Sequence, residues 1–99
     1  MSLNITTQLE TLDGFSLPNS YGRVAVGDDV AGTNLQSVVV IYKDEAAFEA
    51  GANGINVNLK LSDQSPYNRD VDGTDILNIA HDRLIALLAD QGVTAVKVL

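Results

Sequence analysis

One stretch limits the folds open to this chain more than any other. Thr74 to Gln91, TDILNIAHDRLIALLADQ, is its only extended segment of helical period. Ile76, Leu77, Ala80, Leu84, Leu87 and Leu88 recur at three- and four-residue steps. At about 100° per residue they fall in a stripe about 120° wide. Thr74 stands where an N-cap belongs, Asp75 falls in the first turn, and Gly92 follows where a left-handed C′ residue closes a helix. Burying those six side chains contributes about 10 kcal/mol before conformational entropy is subtracted. That suits a helix lying as a lid on a sheet.

The remaining runs read as strand or turn. Leu3 to Leu12 alternates, with Leu3, Ile5, Thr7 and Leu9 on one side, and ends at Asp13-Gly14. Pro18-Asn19-Ser20 marks a loop, Tyr21 to Val26 a short strand, and Gly27 to Asn34 a polar segment too long for a tight turn. Leu35 to Lys43 is the strongest strand. Its unbroken Val38-Val39-Val40-Ile41-Tyr42 predicts a central position with both faces covered. Lys43 to Gly51 reads as a short helical connector closed by glycine, and Asn53-Gly54 as a turn. Ile55 to Ser62 alternates cleanly, with Ile55, Val57, Leu59 and Leu61 inward, and predicts a half-buried strand. Gln64 to Gly73 is a polar loop, and Val93 to Leu99 supplies a last strand after the helix. The expectation is one α+β domain over residues 1–99: a small, mostly antiparallel sheet with one C-terminal helix on one face, in the order β-β-β-β-α-β.

Charge and composition narrow the function classes. Thirteen acids against six bases give a net charge of −7, and the cations Arg23, Lys43, Lys60, Arg69, Arg83 and Lys97 stand singly. A phosphate backbone or an anionic membrane surface needs a basic stripe, so neither is an expected partner. Without cysteine there is no disulfide framework, no thiolate metal site and no Cys nucleophile, and synthesis inside a cell is the natural reading. MSLNITTQLE carries no basic and apolar leader pattern, and the longest apolar run, Val38 to Tyr42, is far short of a membrane span. A soluble protein is expected.

No constellation builds an active site. Asn68-Arg69-Asp70-Val71-Asp72-Gly73 fits the first half of a calcium loop, but Ile76 and Ile79 stand where the ninth ligand and the bidentate acid belong. The same acids, with Asp75, complement a helix N-terminus instead. His81, the single histidine, lies at the border of the buried stripe without a nucleophile beside it. Asp28-Asp29 and Asp44-Glu45 read as solvated turn carboxylates, because neighbours on an extended chain point to opposite sides. The aromatics Phe15, Tyr21, Tyr42, Phe48 and Tyr67 share neither a spacing nor a strand face and read as core and loop anchors. An enzyme is not expected, nor a cofactor or metal.

Tyr21-Gly22-Arg23-Val24, then Val38-Val39-Val40-Ile41-Tyr42-Lys43-Asp44-Glu45-Ala46 with Gly51, then a single late helix, resembles small proteins encoded among the tail and virion genes of tailed bacteriophages. The likeness covers about Tyr21 to Gln91 and brings no catalytic motif with it. It implies a non-enzymatic structural role in a phage particle: a small subunit repeated by symmetry in the baseplate, at a tail-fibre attachment, or elsewhere on tail or head. Its partners would be other virion proteins or itself, and its place the virion, after synthesis in the host cytoplasm. The rival class is a free intracellular module, an adaptor or inhibitor that sets its acidic surface on a basic partner.

The interface is expected at one of two places. Ile79 and Ile85 flank the helical stripe, each about 120° from its centre, where a solitary domain has no need of isoleucine. The last strand carries Val96 and Val98 and reads as an edge guarded by Lys97 alone.

Overall fold

The β-branched run at the middle of the chain sets the frame. In the computed structural model, which describes residues 1–28 and 34–98, β4 (Ser20–Asp28) and β5 (Asn34–Tyr42) pair over most of their length, from Tyr21 opposite Tyr42 to Asp28 opposite Leu35. Three further strands complete an antiparallel sheet: β1 (Ser2–Ile5), β6 (Ser62–Pro66) and β7 (Ala95–Val98), in the order β6-β5-β4-β1-β7. A separate small hairpin joins β2 (Leu9–Glu10) to β3 (Ser16–Leu17). Two short helices, α1 (Glu45–Glu49) and α2 (Arg69–Asp72), precede the long α3 (Ile76–Asp90), which packs across the sheet. The α+β class, the antiparallel sheet and the covering C-terminal helix are those the sequence predicts.

Register divides the sheet into two faces. Ile41, Gly22, Leu3 and Lys97 form one cross-sheet row on the α3 side. Leu3, Ile5, Val39 and Ile41 are buried there against Leu84 and Leu88, and Leu35 joins Tyr67 and Ala80 in a second cluster. Gly22 on β4 leaves room in this row for the side chains of the strands on either side. A Cβ at that position would stand 2.9 Å from Val39 Cγ2 and 3.4 Å from Leu3 Cβ.

Several expectations are corrected. The N-cap of α3 is Asp75, not Thr74: its carboxylate accepts from the Asn78 N–H at 3.2 Å. Gly73, at φ +92, ends α2 and sets the entry to α3 one residue later than the threonine. Gly92 takes the left-handed conformation expected of it, at φ +80. The buried face of α3 is turned towards His81, which is fully buried rather than at the border, while Leu77 in the first turn is 40% exposed. Ile79 and Ile85 do not stand outside the core. Ile85 packs on the main cluster and Ile79 on the Leu35–Tyr67–Ala80 cluster, because the twisted sheet wraps around both flanks of the helix.

β5 is interior, between β6 and the middle strand β4, but is not covered on both faces. Its residues alternate between buried and exposed, and Val38 and Val40 each remain 37% exposed. An unbroken β-branched run meets the strand's backbone preference whether or not both faces are covered. Ile55 to Ser62 keeps its expected alternation of burial yet forms no strand. It makes single bridges, Ile55 with Ile41 and Val57 with Thr11, and its Leu61 carbonyl accepts from the Val39 N–H at 2.9 Å. The strand that pairs with β5 is Ser62–Pro66, which begins at the last residue of that run and takes in the start of the expected Gln64 to Gly73 loop. Residues 29–33 of the expected polar segment, and Leu99 of the last strand, lie outside the described residues.

Candidate functional site

The face of the sheet turned away from α3 carries most of the exposed valines of the strands. Tyr42, Tyr21, Asn4 and Val96 form one cross-sheet row on it, with Val40 opposite Arg23, Val38 opposite Ala25, and Val98 opposite Ser2 in neighbouring rows. Val96 is 53% exposed and Val98 38%, alongside the half-open Val38 and Val40. The register of β7 with β1 thus places Val96 and Val98, the two interface candidates of the last strand, on the face turned away from α3.

One end of this face is capped by the chain itself. Asp44 caps α1 by accepting from the Ala47 N–H at 2.7 Å, and the helix swings Phe48 over the sheet. The Phe48 ring meets Tyr42 edge-on at 5.1 Å and Tyr21 at 6.0 Å, and the Arg23 guanidinium lies 4.6 Å from its centroid. Arg23 also donates to Tyr21 Oη at 3.2 Å and to the Met1 carbonyl at 3.4 Å. Three of the five aromatics therefore do share a face, contrary to expectation. The hairpin register that sets Tyr21 opposite Tyr42 is the signal that would have found them. The loop beyond α1 then presses onto Val40, where a Cβ on Gly54 would collide with the valine side chain.

Charge is unevenly placed. Among the described side chains of the five strands the one acid is Asp63, and its register with Ser37 puts it on the α3 side. The open face carries Arg23 and no described carboxylate, in a chain with 13 acids.

β7 is an edge strand, as expected. The Thr6 N–H donates to the Thr94 carbonyl at 3.0 Å, so in the alternating antiparallel pattern Val96 and Val98 bond to β1 while the backbone of Ala95 and Lys97 points outward. The Lys97 side chain leans away from that edge, onto α3, where its ammonium meets Asp82 Oδ1 at 2.6 Å and Asn78 Oδ1.

The other candidates are occupied in structural ways. Asn68 Oδ1 accepts from the Asp70 N–H at 2.9 Å and Asp72 Oδ2 from the Asn68 N–H at 2.8 Å, a reciprocal cap on α2. His81 donates from Nδ1 to the Leu77 carbonyl at 2.6 Å, and its Nε2 is buried without a hydrogen-bond partner. No cluster of three metal-ligating side chains occurs among the described residues, and no described helix is long and apolar enough to cross a membrane. A depression of about 320 Å³ beside β1 and α1 is lined by Asn4, Asn19, Lys43 and Asp44, without a base positioned near a nucleophile. Comparison with models of protein families, with characterised proteins and with solved structures finds no match to this chain.

Proposed function

We propose that this chain is a non-enzymatic structural subunit that works by protein–protein association through the open face of its sheet and the adjoining β7 edge. In keeping with its sequence resemblance, it serves in the virion of a tailed bacteriophage, in the baseplate, at a tail-fibre attachment, or as another accessory of tail or head. The observation that carries this reading is the open face itself: four half-exposed valines on a surface free of described carboxylates, beside an unguarded strand edge. A domain acting alone in water has every reason to spread its acids there. His81, fully enclosed and committed to Leu77, has no route to a substrate. Negative-stain imaging of purified phage particles with an antibody against this chain tests the reading. Labelling at one symmetric position supports it, and particles that carry none of the chain overturn it.

The rival, a free acidic adaptor or inhibitor, draws on α1, where Asp44, Glu45 and Glu49 are exposed together at the end of the open face. Its complex with a basic partner would weaken steeply as salt rises, and the species isolated with the chain would be a single partner protein.

A further inference from the structure

We infer that the open face of the sheet is covered by the same face of a second copy of this chain. The inference rests on the reading of that face as an association surface and adds the identity of the partner. Charge decides it. A chain of net charge −7 that recruited a basic partner would offer carboxylates where the partner docks. This face offers none among its described sheet residues: Asp63 is turned to the α3 side, and the exposed Asp44, Glu45 and Glu49 stand on α1 and its N-cap at one end. A surface cleared of carboxylates fits a partner that is itself acidic, and another copy of this chain is such a partner. Its one cation adds no barrier, since Arg23 is held down on Phe48 and bonded to Tyr21 and the Met1 carbonyl.

The shape agrees. Ala25, Val38, Val40, Val96 and Val98 project from one side of a twisted sheet, and two such sides pack as the layers of a β-sandwich, about 10 Å apart with strands near 30° to each other. α1 rises from one end of the face and obliges the two copies to meet about a two-fold axis with their α1 helices at opposite ends, an isologous contact. Five short strands, with part of the face under α1, give an area at the low end of specific interfaces. The dimer is therefore weak, with a dissociation constant in the micromolar range or above.

Sedimentation velocity of the purified chain from about 10 µM to 1 mM, at low and at high salt, tests this. The expected result is a monomer–dimer equilibrium that tightens several-fold as salt screens the like charges. Val38→Asp and Ala25→Glu should each weaken it at least tenfold with circular dichroism unchanged, because each substitution enters the symmetric interface twice. Val71→Asp, on α2 and off this face, should leave it unaltered. A dimer indifferent to both face variants, or one weakened by salt, overturns the inference. A wild-type chain that stays monomeric at 1 mM, yet co-sediments with phage particles when Val38→Asp does not, overturns the second copy and leaves the association reading standing. If the chain stays monomeric and neither form binds particles, both fall.

Discussion

The side-chain amide of Gln91 takes both backbone hydrogen bonds of Lys60. Its Oε1 accepts from the Lys60 N–H at 2.8 Å and its Nε2 donates to the Lys60 carbonyl at 2.9 Å. The same Nε2 reaches the Leu87 carbonyl at 3.2 Å. A carboxamide offers one donor and one acceptor side by side, as a neighbouring strand does, so it substitutes here for the strand that 55–61 lacks. It also ties the C-terminus of α3 to the segment that brings Leu59 and Leu61 onto the core.

Gln91→Ala should therefore cost about 1–3 kcal/mol, more than an ordinary surface change, since it strands two backbone groups at once. Gln91→Glu should recover little, because a carboxylate accepts from the Lys60 N–H but cannot donate to its carbonyl. Urea unfolding gives the free energies, and amide exchange at Lys60 should quicken in both variants. An unchanged midpoint for Gln91→Ala would mean that water serves Lys60 equally well.

Buried polar atoms without partners make a second prediction. His81 Nε2 and Ser37 Oγ are both enclosed on the α3 side, and neither finds a hydrogen bond. An orphaned ring nitrogen or hydroxyl in the interior is unfavourable, and removing it can stabilise. Ser37→Ala should be neutral or stabilising by up to about 1 kcal/mol. His81→Leu should be close to neutral, whereas His81→Ala, which also leaves a void, should cost about 2–4 kcal/mol. If His81→Leu destabilises as much as His81→Ala, the imidazole is making a polar contact that matters.

Calcium should leave the fold untouched. Asn68 and Asp72 already serve the backbone around α2, and the positions that would complete a chelate hold Ile76 and Ile79. A ligand that binds only the native state must raise its melting temperature. A rise of several degrees in millimolar calcium, abolished by Asp70→Ala, would reverse this.

What the sequence discloses follows the range of the forces involved. α3 and the β4–β5 pair are legible because periodicity and β-branching act within one segment. β6 is not, since Ser62-Asp63-Gln64-Ser65-Pro66 contains no β-branched residue and owes its strand form to β5 beside it. Pro66 is tolerated there because β6 is an edge, where a missing N–H costs least. Of the candidate surface, Val96 and Val98 are visible as apolar residues of a last strand that reads as an edge. The Tyr21–Tyr42–Phe48 cap and the carboxylate-free face depend on register between distant strands, which no local pattern encodes.

Ile85 and Val96 were equal candidates in the sequence, and the structure separates them. Ile85 sits on α3 against the main cluster, while Val96 projects from β7 on the opposite face of the sheet, 53% exposed. A carboxylate at position 85 must be buried in part among apolar groups, so Ile85→Asp should cost about 2–4 kcal/mol and lower the melting temperature markedly. A carboxylate at position 96 stays in water in the lone domain and loses only strand propensity, so Val96→Asp should cost about 1 kcal/mol or less. Association should respond in the opposite order: Val96→Asp impairs it in a folded chain, and Ile85→Asp does so only in step with unfolding. Thermal melts paired with sedimentation of each variant read both effects. An Ile85→Asp variant that stays as stable as wild type and fails to associate would move the interface to the flank of α3, and with it the proposed surface.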